Sequence, residues 1–256
     1  MTTTATALVV QNTPGGGPGR WADWLREAGL SLDVVAAHED PAALPERLTH
    51  QALVVLGGGY LPDEDDRAPW LARTRDLMRQ ALAARVPVFG ICLGGQMLAQ
   101  VAGGAVRGEY GQPEFGSTPL RIRAEAADDP LFRAVPATAR AMENHVDAIV
   151  RLPPDAVWLA ESERCPYQAF RVGGAPAWGV QFHPEAAAER IASWDEARLA
   201  RYGEDRAVLH RAALVDEAAS VPTWRALAHA FALQARNAAN AAAASDANPW
   251  TPGVHP

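Results

Sequence analysis

The stretch 86–99 constrains this chain more than any other. It opens with an apolar run rich in β-branched residues, which reads as a buried strand. It closes with good helix formers. Between the two stands Gly90-Ile91-Cys92-Leu93-Gly94. A residue on so sharp a strand-to-helix turn has a strained backbone, and its side chain stands clear of the sheet. The flanking glycines remove Cβ atoms that would clash there. This is the nucleophile-elbow pattern with cysteine in place of serine. The helix that follows points its N-terminus at the sulfur, which favours thiolate over thiol. A free cysteine is commonly a small core residue, but the paired glycines and the strand-then-helix setting reverse that reading here.

The rest of the chain supplies a frame for such an elbow. Apolar runs at 5–10, 32–36 and 53–56 read as strands, and Trp21, Trp24, Leu25 and Ala28 recur at helical spacing between the first two. Residues 69–84 read as an amphipathic helix leading into strand 86–91. This alternation predicts an α/β fold: an open, mostly parallel sheet with helices on both faces. From 103 to 150 the texture changes to short runs and turns, read as antiparallel strands at one edge of the sheet. Three further strands are expected at 156–160, 168–172 and 177–182. Beyond them the alanine-rich sequence predicts helices near 187–201, 204–219 and 222–240, a helical C-terminal extension. Residues 1–240 read as one domain. Residues 241–256, with three prolines, read as a flexible tail.

The last expected strand runs into Phe182-His183-Pro184-Glu185. In an extended segment, side chains two apart share a face, and a carboxylate beside a histidine orients the ring and supports its charged form. Alone, this segment reads as a turn with a satisfied histidine. In an open parallel sheet, however, its strand end lies at the same edge as that of the elbow strand. Thiol, imidazole and carboxylate then make a nucleophilic triad of Cys92, His183 and Glu185.

Together, Gly90-Ile91-Cys92-Leu93-Gly94-Gly95-Gln96 and Trp178-Gly179-Val180-Gln181-Phe182-His183-Pro184-Glu185 resemble the class I glutamine amidotransferases, most closely those similar to the glutaminase domain of GMP synthase. The resemblance runs from about residue 5 to 234 and implies a flavodoxin-like fold. It implies hydrolysis of the glutamine side-chain amide to glutamate and ammonia, with ammonia passed to a synthase partner. Cys92 would be the nucleophile, His183 the base and acid, and Glu185 the orienting carboxylate. Leu56-Gly57-Gly58-Gly59 matches the oxyanion strand. The amides of Gly58 and Leu93 would be the oxyanion donors, a contribution of about 3–4 kcal/mol per donor. Gln96 matches a side chain at the substrate's α-carboxylate end, and Asn144 and His145 fall in a segment that meets its α-groups. The pattern departs at Gly59, where proline is common, and at Val146, where glycine is. His145 and Asp147 also read as a structural hydrogen-bonded pair. A triple-glycine loop, moreover, can hold the Gly58 amide away until a partner orders it.

The same triad suits a γ-glutamyl peptidase or hydrolase, since the scissile bond is again a γ-amide of glutamate and no synthase domain is read in these residues. A non-catalytic binding module would not need all three groups. The net charge of −7 argues against nucleic acid or an anionic membrane as partner. No run is long enough to span a membrane, and the N-terminus lacks a signal-peptide core. Two cysteines, Cys92 and Cys165, form no disulfide framework and are too few for a structural zinc site, so a reducing cytoplasm is implied. The glycine-rich loop at 11–19 lacks the Gly-Lys-Ser/Thr of a phosphate cradle. The acidic turn at 62–66 matches no calcium loop and reads as a solvated lead-in to a helix. No metal or cofactor is required.

Overall fold

The computed structural model describes residues 5–246. The chain begins with β1 (Thr6–Gln11), α1 (Gly19–Glu27), β2 (Ser31–Ala36), β3 (Ala52–Val55), α2 (Trp70–Ala84), β4 (Val88–Ile91) and α3 (Leu93–Val101). It continues through β5 (Ala105–Arg107), β6 (Glu114–Ile122), β7 (Thr138–His145), β8 (Ala148–Arg151), β9 (Val157–Glu161), β10 (Ala169–Arg171) and β11 (Ala177–Val180). Two helices close it, α4 (Glu196–Arg201) and α5 (Arg206–Asp246). Nine strands form one sheet in the order β2-β1-β3-β4-β11-β10-β9-β6-β7, and β5 pairs with β8 in a small separate ribbon.

Strands β2, β1, β3, β4 and β11 are parallel, while the pairings from β11 onward to β7 are antiparallel. Apart from the edge strand β2, which is largely exposed, the parallel part is buried on both faces, as parallel sheets require. Val9, Val54 and Phe89 pack with Trp21 and Phe231 on one side; Leu8, Leu53 and Val88 pack with Leu71, Leu77 and Met97 on the other. The alternation within each strand therefore separates two apolar layers rather than core from water.

Helix α5 departs from the expectation of two separate C-terminal helices. One helix runs through Pro222 to Asp246. A proline there costs a backbone hydrogen bond, but the turns after it bury Trp224, Leu227, Phe231 and Ala235 in the first core layer. The nine-residue α1 is too short to cover that face alone, so α5 completes the core rather than being appended to it. Residues 187–201 also break into a 3-10 segment, Ala188–Ser193, and α4. Asp195 makes the break by accepting the backbone N–H groups of Ala197 and Arg198. Of the expected tail, 241–246 continue α5, and 247–256 lie outside the described residues, as do residues 1–4.

Phe231 stacks obliquely on Phe89 at 5.5 Å and meets Trp178 edge-on at 6.4 Å. Phe231→Ala is expected to lower unfolding stability by about 3–5 kcal/mol, read by urea denaturation. A loss below about 1 kcal/mol would mean that α5 contributes little to this core.

Candidate active site

The elbow forms where β4 gives way to α3. Cys92 has φ +51° and ψ −109°, a conformation that L residues rarely adopt. Two glycines make it possible. A Cβ on Gly90 would collide with the carbonyl of Gly94, and one on Gly94 with the carbonyl of Val55 on β3. Helix α3 therefore sits hard against the sheet, and its N-terminus lies at the sulfur. Leu93 is the first residue of that helix, so its N–H has no intrahelical acceptor.

Strand β11 is the immediate parallel neighbour of β4, with Val180 opposite Ile91. The Cys92 N–H donates to the Val180 carbonyl at 2.8 Å. The residues that follow each strand thus emerge side by side. His183 Nδ1 donates to Glu185 Oε1 at 2.7 Å, and the His183 N–H donates to the Met142 carbonyl on β7 at 2.7 Å. The site of a Cβ on Gly57 lies 2.8 Å from His183 Cε1 and 3.4 Å from Cys92 Cβ. Gly57 is the gap across which thiol and imidazole face each other. Glu185 is buried, and Cys92 is 6% exposed.

Burial works against charging His183. The Glu185 carboxylate and the Cys92 sulfur outweigh it, and the ring's pKa is held well above the ordinary value of 6.5. The folded value exceeds the unfolded one. The charged ring therefore stabilises the fold fully below pH 6.5, and that stabilisation is lost as pH rises through the folded value. Glu185→Gln removes the strongest supporting charge and is expected to move the His183 titration downward, as followed by NMR of the ring Cε1 proton. An unmoved titration would show that Glu185 does not set the charge of the ring.

A cavity of about 320 Å³ opens over these groups. Cys92, His183, Gly58, Gln96 and Asn144 all line it. Gln96 Nε2 donates to the Asp147 carbonyl and to Gln181 Oε1, each at 3.1 Å. Gln181 Nε2 in turn lies 3.6 Å from Cys92 Sγ. Gln181 is fully buried, and no sequence pattern marks its link from Gln96 to the sulfur. The same holds for Asn12. Its Nδ2 donates to the Leu56 carbonyl at 2.8 Å, while Trp70 Nε1 donates to its Oδ1 at 3.0 Å. Asn12 and Leu93 also flank Gly58 closely. The start of the triple-glycine loop is thus clamped, and only Gly59 of the three has open space around it.

His145, expected in the segment that meets the substrate's α-groups or in a structural pair with Asp147, lines the same cavity. Its Nδ1 lies 3.1 Å from the Asp147 carbonyl and its Nε2 lies 3.2 Å from Glu114 Oε2. Its side chain is 3% exposed, so both ring nitrogens are committed to protein groups. The pairing with Asp147 is to its backbone; the Asp147 carboxylate accepts the Glu109 N–H. Glu114 also receives Gln168 Nε2 at 2.7 Å and the Ser162 hydroxyl at 2.9 Å.

One trio among the described residues, Glu114, His145 and Cys165, brings potential metal-ligand atoms within 4.8 Å of one another. Burial raises the Cys165 pKa far above the ordinary thiol value, aided by Glu143 and Glu114, which opposes the thiolate a metal would need. The trio reads as a hydrogen-bonded support under the 144–147 turn. Glu143, fully buried beside it, is likewise pushed well above the usual carboxylate range, by burial and by Glu114.

The acidic turn is also more ordered than expected. Asp65 forms a two-pronged pair with Arg75 of α2, and Glu64 binds Arg67 and the Leu61 N–H. Arginines, not the helix N-terminus, compensate these carboxylates. No helix among the described residues is long and apolar enough to cross a membrane.

An α/β sheet that delivers a cysteine elbow and a His-Pro-Glu segment from adjacent parallel strands has the architecture of proteins that work through a cysteine at a strand end. The chain belongs to the class I glutamine amidotransferase family, whose sequence model matches residues 21–192. It is 32% identical over 157 residues to a glutamine-hydrolyzing GMP synthase subunit of Methanopyrus kandleri, covering 61% of this chain and 77% of that one. It is 43% identical over 103 residues to the corresponding GMP synthase subunit of Pyrococcus abyssi, covering 40% of this chain and 52% of that one. The latter match thus spans about half of the relative's length. Among solved structures, a glutamine amidotransferase from Thermotoga maritima superposes with a TM-score of 0.78 and 27% identity, covering 90% of this chain and 99% of that one. A glutamine amido transferase from Methylobacillus flagellatus shares the fold, with a TM-score of 0.73 and 24% identity over 92% of this chain and 96% of that one.

Proposed function

We propose that this protein hydrolyses the side-chain amide of glutamine to glutamate and ammonia through a thioester on Cys92, and that the ammonia passes to a synthase partner. The observation that carries this reading is the facing of Cys92 and the His183–Glu185 pair across Gly57, inside a cavity. The family match and the names of the relatives support glutamine as substrate.

In this reading the Cys92 thiolate, at the N-terminus of α3 and facing His183, attacks the amide carbon. The amides of Gly58 and Leu93 receive the oxyanion. His183 gives its proton to the departing nitrogen, and ammonia leaves. The now neutral ring takes a proton from water, which attacks the thioester and releases glutamate and the thiolate. Glu185 holds the ring's orientation and its charge.

The test offers purified protein glutamine and a set of γ-glutamyl amides and reads ammonia or amine released. Slow glutamine turnover, with covalent capture of Cys92 by a glutamine-shaped electrophile, is the expected result for a glutaminase that waits on a partner. Rapid cleavage of a γ-glutamyl conjugate with glutamine ignored would replace this reading with a γ-glutamyl hydrolase.

A further inference from the structure

We propose that Arg198 is a specificity-determining residue that receives a carboxylate of the substrate in the catalytic cavity. The proposal rests on the amide-hydrolase reading above and deepens it.

Arg198 stands on α4, beyond the residues 21–192 that the family's sequence model matches. It nevertheless lines the same cavity as Cys92 and His183. Asp195 fixes its backbone by accepting the Arg198 N–H at 3.2 Å. Its guanidinium lies 5.2 Å from the centre of the Phe115 ring, and Nη1 donates to Asn144 Oδ1 at 2.6 Å. Among the described residues no carboxylate comes within ion-pair distance of it.

A half-buried guanidinium whose only side-chain hydrogen-bond partner is a neutral amide has given up water without gaining a counterion. Several other partly buried arginines of the chain are paired with acids, while Arg73 and Arg190 donate to backbone carbonyls. Arg75 has Asp65, Arg20 has Glu217, and Arg171 has Asp129. With a net charge of −7, acids are in surplus, yet none reaches Arg198. The unused donors of a planar guanidinium match a carboxylate in two-pronged geometry. The missing anion is therefore one that arrives with the ligand.

Two carboxylates suit this chemistry: the α-carboxylate of the glutamyl group, and a carboxylate on the amine that leaves from a γ-glutamyl conjugate. Two substrate pairs separate them. Glutamine and its α-amide differ only at the α-carboxylate. γ-Glutamylglycine and γ-glutamylmethylamide differ at the leaving group. Wild-type protein is expected to favour the carboxylate-bearing member of one pair by about tenfold or more in kcat/KM, mainly through KM. Arg198→Ala should erase most of that preference and Arg198→Lys should keep part of it. The pair affected names the source of the carboxylate. The lysine variant carries the test if the alanine variant fails to fold.

An unchanged preference in both pairs, or an equal loss on all four compounds, would overturn the assignment. The latter would mark Arg198 as a prop for Asn144 alone. A wild-type protein that prefers neither carboxylate would overturn it as well. Wild-type protein that hydrolyses none of the four compounds overturns the amide-hydrolase reading and the assignment with it.

Discussion

Cys92→Ala is expected to lower amide turnover by about four to six orders of magnitude, while the fold and its unfolding midpoint stay close to wild type. The expectation follows from the elbow. Cys92 holds an unfavourable φ of +51° that a small residue tolerates no worse than cysteine does, so the loss falls on chemistry and not on folding. Cys92→Ser should be nearly as inactive, because a hydroxyl is a far weaker nucleophile than a thiolate beside the charged His183. Cys165 supplies the control. Its thiol is buried and held protonated, so an alkylating reagent should modify Cys92 alone, and Cys165→Ser should keep turnover near wild type. Measurable turnover in folded Cys92→Ala at more than about a hundredth of the wild-type rate would remove Cys92 from the mechanism. A loss in Cys165→Ser as deep as that in Cys92→Ala would point to two working thiols.

His183→Ala is expected to be as damaging as Cys92→Ala, and Glu185→Gln less so by about one to two orders of magnitude. In the proposed mechanism His183 moves a proton in each half-reaction, whereas the Glu185 carboxylate accepts only from the ring, at 2.7 Å. Glutamine at 185 preserves the shape and an acceptor for Nδ1–H but removes the charge that supports the imidazolium. The comparison is made by steady-state kcat, with mass spectrometry to follow the acyl-enzyme. His183→Ala should neither form nor clear the adduct efficiently. Glu185→Gln should do both, slowly. Equal damage in the two variants would assign Glu185 a direct part in proton transfer.

These expectations draw on parts of the chain that differ in how far the sequence reveals them. The elbow is legible because its causes are local. A strand, two glycines and a helix lie within one short stretch, and each glycine's reason for being there lies a few residues away or on the next strand. The His183–Glu185 pair is legible for the same reason, since two residues across a proline meet in any extended turn. The β-α alternation of the first hundred residues likewise follows from periods in the sequence.

Other features are not legible, because their causes are distant contacts. Nothing local says that Pro222 sits inside a helix; that depends on a whole sheet face needing cover from Trp224 to Ala235. Nothing local says that His145 spends both ring nitrogens on protein groups, since Glu114 is 31 residues away. Asn12, Gln181 and Arg198 read as ordinary polar residues until the fold sets Asn12 against the Leu56 carbonyl, Gln181 beside the Cys92 sulfur and Arg198 at the cavity.

By itself the sequence determined the chemical type of the site: a cysteine presented on a strained turn, and a histidine with its carboxylate. Backbone sterics and short-range hydrogen bonding suffice to specify these. The tertiary structure decided that β4 and β11 are neighbours, which places the thiol opposite the imidazole. It also decided that the buried Asn12 amide braces the triple-glycine loop, and that an arginine without a counterion lines the cavity. Those outcomes depend on strand order and on which face each helix covers, and long-range burial of apolar surface sets both.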